Sequence, residues 1–372
     1  MVEWGYSYHV NKKAVYYDGY ERADVVQYRK EWASKMIKYS HFMEKYDEDD
    51  VTKVTLPDLP EGQKQIVMVT QDESTFYSNK SPTNLWPLEN ENPIRNKSPG
   101  GSIMVSEFQC PYYGTMRIMN WKSQKFFFAG TNGDGFWTWK DMHEQMKDDV
   151  IPLFEKLHPG CQALFILDQS SNYNAYAPSA KRATCFNLKD TQLSSVNQHV
   201  ILPGYYIGPD GEKKIQNFYN LEIKNEGKKN ERRTWFQKGL ETILTERGLG
   251  KWDEYKVQGK YWKAKCGNKE PNSEHTYCLY HLLENQPDFL SQKTALEELV
   301  LKSGHLYTLY LKYHYQVSPP DATPVEIRRY YNRCWRYIHA YNDMKDGNEA
   351  FKLVEKFTSK RYLSYRKPGV HN

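Results

Sequence analysis

The sequence predicts an α/β fold in which a mixed sheet carries helices on both faces. Three observations carry that expectation. Short apolar, β-branched runs bounded by polar residues recur at 65–70 (QIVMVT), 102–110 (SIMVSEFQC) and 161–167 (CQALFIL), the pattern of buried strands. An amphipathic stretch at 138–158 lies between the second and third of them, with the spacing of a helix that packs one face. Acids stand just past the first and third runs, at Asp72 and Asp168. Strands alternating with helices place the chain in the α/β class.

The elements follow in order along the chain. Residues 1–45 are tyrosine-rich, and Val25, Val26, Trp32, Met36, Ile37 and Phe42 fall at helical spacing within 22–46. An acidic, proline-containing linker at 47–63 precedes the first strand, which ends in Gln71, Asp72, Glu73 and Ser74. A Pro/Asn/Gly-rich loop at 90–101 leads to strands at 102–110 and 115–121, and 126–129 is a candidate to extend the sheet. Thr138 caps the helix at 138–158, with Asp141 near its positive end. The strand at 161–167 closes on Asp168.

From 170 to about 287 the pattern breaks into polar loops with one helix at 232–248, which reads as a long insertion. A helix at 289–303 and a strand at 305–314 resume regular structure until Pro319 and Pro320 interrupt it. The last helix starts at Thr323 with Pro324 in its first turn, where a missing N–H costs nothing. The expected organisation is a helical lead-in and linker at 1–62, one α/β domain at 63–345 with its insertion at about 170–287, and a basic C-terminal tail at 346–372.

Composition narrows the function classes. Counted with glycine and without tyrosine, the apolar share of the 372 residues is ~37%, below the ~45 to 50% typical of globular chains. Aromatics make up 15%, which argues against a disordered chain. The longest apolar stretches, such as 163–167 and 126–129, fall far short of the ~20 residues that span a bilayer, so no membrane partner is expected. Residues 1–20 lack the apolar run of a secretory signal. Six scattered cysteines (110, 161, 185, 266, 278 and 334) read as reduced thiols. A nuclear location is expected, with the cytoplasm as the alternative.

Net charge is +5, from 51 basic and 46 acidic residues. Its distribution is uneven: residues 302–372 hold 13 Lys and Arg against 6 Asp and Glu. A basic, aromatic-interleaved segment suits phosphate contact; a solvated helix face is the plain alternative.

An acid at the end of a buried strand is held by rigid backbone at the open edge of the sheet, where sites form in open α/β folds. If the strands that carry Asp72 and Asp168 are neighbours, the two carboxylates can share magnesium, which takes one or two carboxylates plus water and substrate phosphate. Two such ions ~3.5 to 4 Å apart serve phosphodiester chemistry. A turn-forming Asp is the plain alternative for either residue alone.

Several blocks carry a family resemblance: QDEST (71–75), GSIMVSEF (101–108), LFILDQSSNYNAYAPSA (164–180), QPDFLSQKTALEELV (286–300) and GHLYTLYLKYH (304–314). In this order they resemble the DDE transposases of the mariner superfamily, specifically the long fungal group of DDE superfamily endonucleases. KKAVYYDGYERADVVQYRKEW (12–32) is similar to that group's lead-in, and IRRYYNRCWRYIHAY (327–341) to its C-terminal helix. The resemblance spans roughly residues 12–345. It implies a ribonuclease H-like fold, a metal-dependent cut-and-paste recombinase that uses magnesium or manganese, DNA as partner and a possible homodimer. It also implies Asp72 and Asp168 as the first two metal-binding acids.

Two departures from the family pattern set further expectations. The third acid belongs to an Asn-Phe-Ile-Glu-x-x-Trp-Gly block, and here that place reads SPPDATPVE (318–326). Asp321 falls on the acid's position when read without a gap, and Glu326 is the other substitute. The family's helix-turn-helix segments upstream also have no counterpart before MVEWGYSYH. The expected function is therefore a transposon-derived DDE-type recombinase or endonuclease-like protein, catalytically impaired. A non-catalytic, domesticated DNA-binding or protein-interaction protein is the alternative.

Weaker signals remain. Cys266, His275, Cys278 and His281 offer four N/S donors for zinc at a spacing that matches no standard site. GTNGDG (130–135) has glycine at the first ligand position of a calcium loop and reads as the loop that opens the next helix. Lys228, Lys229, Arg232 and Arg233 form either an import patch or a solvated loop. Aromatics at 330, 331, 335, 337 and 341 can stack on bases, though their helical spacing suits core packing.

Overall fold

The apolar runs at 65–70 and 161–167 pair side by side as parallel strands at the centre of a mixed sheet. The computed structural model describes residues 21–79, 98–130, 133–194, 200–227, 229, 231–249, 278–311 and 323–358. They fall into two units, one of residues 1–175 and 296–372 and one of residues 176–295.

The first unit holds a six-stranded sheet. Its main strands are β1 (Ile66–Tyr77), β2 (Ser102–Cys110), β3 (Lys125–Ala129), β4 (Gln162–Leu167) and β5 (Leu306–Leu309). They lie in the order β3, β2, β1, β4, β5. The first three run antiparallel to their neighbours, and β1, β4 and β5 run parallel. This is the ribonuclease H-like arrangement. Parallel neighbours need a long crossover. From β3 to β4 the crossover contains α2 (Trp139–Gln145), a π-helical stretch (Met146–Val150) and α3 (Ile151–Leu157). From β4 to β5 it contains the second unit and α4 (Ala295–Lys302).

Helices cover both faces. Val67, Val69, Ala163, Phe165 and Leu167 pack with Met142, Met146, Leu153 and Phe154 of the first crossover and with Leu296 and Val300 of α4. Ile66, Met68, Leu164 and Ile166 pack on the opposite face with Trp32 and Met36 of α1 (Ala23–Ser40) and with Tyr331, Ile338 and Tyr341 of α5 (Pro324–Asn342). A final helix, α6 (Gly347–Thr358), adds Ala350 to that second core. Four aromatics of α5 belong to the core: Tyr331 and Tyr341 are buried, and Trp335 and Tyr337 pack against the same cluster. Among the described residues, no helix is long and apolar enough to cross a membrane.

Caps form where the sequence places them. Thr138 and Asp141 make a reciprocal capping box on α2, and Thr323 and Glu326 make one on α5, with Pro324 in its first turn. Other expectations are corrected. β1 does not stop at residue 70 but continues to Tyr77, because it keeps pairing with β2 as far as Tyr77 opposite Ser102. The strand expected at 115–121 is instead two short pieces: Gly114–Thr115 pairs with β2, and Arg117–Ile118 turns back onto Trp121–Lys122. The third long strand is β3. Within 232–248, Arg232–Gln237 is a strand paired with Tyr219–Lys224, and only Leu240–Glu246 is α-helical. The helix expected at 289–303 is two helices, Pro287–Leu290 and α4. Pro319, Pro320 and residues 312–314 lie outside the described residues.

The second unit has a core of its own, built on Phe186, Phe218, Leu240, Ile243, Leu244 and Phe289. A fully buried ion pair stands beside it. Arg247 Nη1 and Nη2 donate to Asp288 Oδ1 and Oδ2 at 2.7 and 2.8 Å, Arg247 Nε donates to Gln216 Oε1 at 2.7 Å, and Asp288 Oδ2 also accepts the Tyr205 N–H at 3.0 Å. A Cβ at Gly204 would stand 2.2 Å from Asp288 Oδ2, so the backbone there must be glycine for the pair to fit. Removing one partner leaves the other charge buried alone, which typically costs about 3–5 kcal/mol. Asp288→Ala should therefore lower the unfolding free energy by about 3–5 kcal/mol in urea titration; an unchanged midpoint would show that the pair is solvated.

Candidate active site

Strand periodicity decides which side chains meet. In the β1–β4 ladder Ile66 stands opposite Gln162 and Thr70 opposite Ile166. Two residues beyond the last pair of this ladder come Asp72 in β1 and Asp168 just past the end of β4. β4 ends at Leu167, so Asp168 is the first residue beyond it and is exposed, while Asp72 lies inside β1 and is half-buried. Even-numbered residues of both strands face the α1 and α5 side, as Ile66, Met68, Leu164 and Ile166 do. The alternation places Asp72 on that face, and Asp168 follows directly after β4, with its charge among those that raise Asp72.

That face is walled by tyrosines. β5 pairs Leu306 with Leu164 and Thr308 with Ile166, which places Tyr310 next in line with Asp168. The Tyr310 N–H donates to Leu167 O at 2.8 Å, and Gln169 Nε2 donates to Tyr310 O at 2.8 Å. From α1, Tyr28 OH donates to Leu309 O and Trp32 Nε1 to Thr308 Oγ1, both at 3.1 Å. Burial pushes the Tyr28 phenol up to about 12. Burial also holds Tyr310 well above its ordinary range, with the charges of Asp72 and Asp168 among the further causes.

The carboxylates feel each other. Burial pushes Asp72 up to about 6, and the charges of Glu73 and Asp168 add to the rise while the Glu73 N–H, 2.9 Å from Oδ1, opposes it. Two carboxylates, one of them half-buried and disfavoured as an anion, match the donor set of a hard divalent cation. A cation between them would favour the ionised form of Asp72 that burial disfavours. Asp72 and Asp168 thus fit magnesium or manganese. Among the described residues, no group of three or more His, Cys, Asp or Glu side chains gathers to hold a metal ion.

The remaining sequence candidates divide. Asp321 lies outside the described residues. Glu326 is exposed and engaged at the start of α5, where its Oε2 accepts the Thr323 N–H at 2.9 Å and the Thr323 hydroxyl at 2.8 Å. Arg328, two residues on, donates to Pro111 O and Val51 O. Pro111 follows the end of β2, which in the antiparallel register lies beside the beginning of β1. Glu326 is committed to the cap of α5. Cys278 is buried, while Cys266 and His275 lie outside the described residues, as does Lys228. Asp134 Oδ2 accepts the Phe128 N–H at 2.8 Å and so closes the turn after β3.

Glu73 was missed by sequence reasoning, although period-2 alternation assigns it to the face opposite Asp72. There its carboxylate accepts the buried Tyr173 hydroxyl. Burial, followed in part by the Asp168 charge, raises it above the ordinary carboxylate range.

No protein-family model matches the sequence, and no curated protein matches it. Several solved structures are similar to part of it, among them three Mos1 complexes. The crystal structure of the mariner Mos1 paired end complex with Mg is 10% identical over 47% of this chain and 43% of that one, with a TM-score of 0.30. The Mos1 Strand Transfer Complex is 12% identical over 47% and 42%, with a TM-score of 0.28. The Mos1 transposase paired-end complex with left transposon end is 12% identical over 47% and 43%, with a TM-score of 0.29. This chain spans less than half the length of each of these proteins.

The raised Asp72 carboxyl has a pH signature. The folded state holds this proton more tightly than the unfolded chain, whose value is the ordinary 3.8, so the stability gained is full below 3.8 and is lost as pH rises through about 6. Carbon-13 NMR of the cation-free protein should show Asp72 titrating near pH 6, and lower in Asp168→Asn, which removes one raising charge. Titration in the ordinary carboxylate range would mean that the pair is open to water.

Proposed function

We infer that this chain is a transposase-like protein that acts on DNA phosphodiesters, with Asp72 and Asp168 as its divalent-cation ligands. The two acids at the ends of adjacent parallel strands, Asp72 in β1 and Asp168 directly after β4, support this reading most. A bound magnesium or manganese ion would supply Lewis acidity toward a phosphate oxygen and a more acidic water. Asp72 and Asp168 would hold that ion and fix its place against rigid backbone. Tyr28 and Tyr310, both about the C-terminal ends of the parallel strands, would narrow the access of water to it. A nuclear setting follows for a protein that acts on DNA.

Catalysis is inferred to be impaired. Two ions placed against the attacking and leaving oxygens need a further anchor beyond this pair. Glu326 is committed to its cap, which leaves Asp321, a shorter carboxylate after two prolines. A misplacement of about 1 Å can cost on the order of a hundredfold in rate. The expected result of a nicking assay with manganese, on duplex and pre-cut ends, is cleavage at background. Cleavage lost in both Asp72→Ala and Asp321→Ala would instead show a competent third acid.

DNA affinity should come mainly from phosphate contacts and fall with salt, by a log–log slope of about −0.9 per phosphate neutralised. Not every basic residue near the C-terminus is available for it. Arg333 pairs with Glu355 at 3.1 Å, Arg336 pairs with Glu48, and Arg328 serves two carbonyls. In anisotropy titrations Arg333→Ala should leave the salt slope unchanged, whereas the exposed Arg329→Ala should make it shallower by about 0.9. A salt-independent affinity for duplex DNA would contradict the reading.

A further inference from the structure

Beneath the carboxylate pair, on the other face of the sheet, a second acid ties together the two segments that carry Asp72 and Asp168. Glu73 belongs to β1, and its own N–H holds Asp72 Oδ1 at 2.9 Å. Its side chain turns to the opposite face and accepts the hydroxyl of Tyr173, which is buried and stands five residues beyond Asp168. The connection from Asp168 to Tyr173 is short and stiff. Ser170 O accepts the N–H groups of Tyr173 and Asn174, both at 3.2 Å, and Asn174 Nδ2 at 3.0 Å. The turn is anchored again where Asn172 Nδ2 donates to Trp137 O at 3.2 Å and where Tyr307 OH meets Tyr173 O at 3.5 Å. Trp137 Nε1, buried, faces the Glu73 carboxylate without reaching hydrogen-bond geometry.

These contacts close a small ring: Asp72 to Glu73 through one peptide, Glu73 to Tyr173 through a carboxylate–phenol bond, and Tyr173 back to Asp168 through a braced turn. In the ladder itself, β4 stops at Leu167 and pairing with β1 is last recorded at Thr70 opposite Ile166. Beyond that point the strand register no longer holds Asp168 against Asp72. We propose that the Glu73–Tyr173 bond takes over that task, a pair of positioning residues that sets the separation of Asp72 and Asp168 and so the affinity of the pair for a divalent cation. This rests on the reading of Asp72 and Asp168 as cation ligands. Groups that orient metal-binding side chains typically account for 10- to 100-fold in metal affinity.

The test is the affinity of the full chain for manganese, read from the electron paramagnetic resonance signal of the free ion. The wild-type chain should bind manganese and Asp168→Asn should not. Tyr173→Phe, which keeps the Glu73 charge and removes only the hydroxyl, should bind at least about tenfold more weakly. Glu73→Ala should do the same. Glu73→Gln loses the charge but keeps an oxygen that accepts the Tyr173 hydroxyl, so it should restore affinity close to wild type. That rescue separates positioning from charge and from general loss of structure. If Tyr173→Phe binds like wild type, or if Glu73→Gln is as weak as Glu73→Ala, the proposal is overturned while the cation reading stands. If the wild-type chain shows no manganese binding that Asp168→Asn removes, both fall together. Should Tyr173→Phe lose its cooperative thermal transition, the two Glu73 variants decide the matter.

Discussion

The register of β1 against β4 is the constraint on which the rest of the site depends. A slip of one residue turns every side chain of a strand to the other face. Here the hydrophobic pattern does not forbid that slip, because β1 is apolar on both sides from Ile66 to Val69, as central parallel strands are. What distinguishes the faces is polar. Gln71 Nε2 donates to Ser106 Oγ at 3.2 Å, Ser106 Oγ to Gln145 Oε1 at 2.9 Å, and Gln145 Nε2 to Ser123 O at 2.7 Å. This buried chain, with Glu73 on Tyr173, exists only if odd-numbered residues of β1 face α2. Leaving such groups unpaired in the interior costs about 1–3 kcal/mol each. Polar satisfaction beneath the sheet thus fixes the side on which Asp72 stands.

Much of the fold was legible because buried strands and capped helices leave local marks. The runs at 65–70, 102–110 and 161–167 are all strands of the central sheet, and Thr138 and Thr323 both cap helices. What failed depended on partners distant in sequence. Nothing within residues 71–77 marks them as strand, yet eight consecutive pairs from Thr70–Gln109 to Tyr77–Ser102 make them one. Arg232–Gln237 has charged and aromatic residues that suit either conformation, and its pairing with Tyr219–Lys224 and Thr191–Gln192 decides for the strand. At the site, the acids past two apolar runs were visible. Glu73 was not, because its importance lies in a contact with Tyr173, one hundred residues away.

Charge counting was equally incomplete. The excess of basic residues toward the C-terminus invites a phosphate-binding surface, but α5 uses part of it as internal fastening. Arg336 reaches Glu48, Arg333 reaches Glu355, and the Arg328 guanidinium lies 4.7 Å from the Tyr46 ring centre while serving two carbonyls. Arginine suits this work because its planar fork satisfies several acceptors at once and stacks on aromatic faces. A helix with 30 tyrosines in its chain to pack against can spend guanidinium groups in this way. Net charge therefore bounds the affinity for DNA without locating it.

The same logic of commitment bears on the third acid. A carboxylate at the first turn of a helix is stabilised by the N-terminal N–H groups and the helix dipole, and Glu326 is held there by both the backbone and the hydroxyl of Thr323. Releasing it toward a metal would give up a cap worth roughly 0.5–2 kcal/mol. Asp72 and Asp168 incur no such cost: their backbone is already in place, and a cation would offset the burial that, with the charges of Glu73 and Asp168, holds Asp72 near 6. On the proposed reading, cation binding would outlast strand cleavage, because the first would rest on the β1–β4 register and the Glu73–Tyr173 bond and the second on an acid delivered from another element.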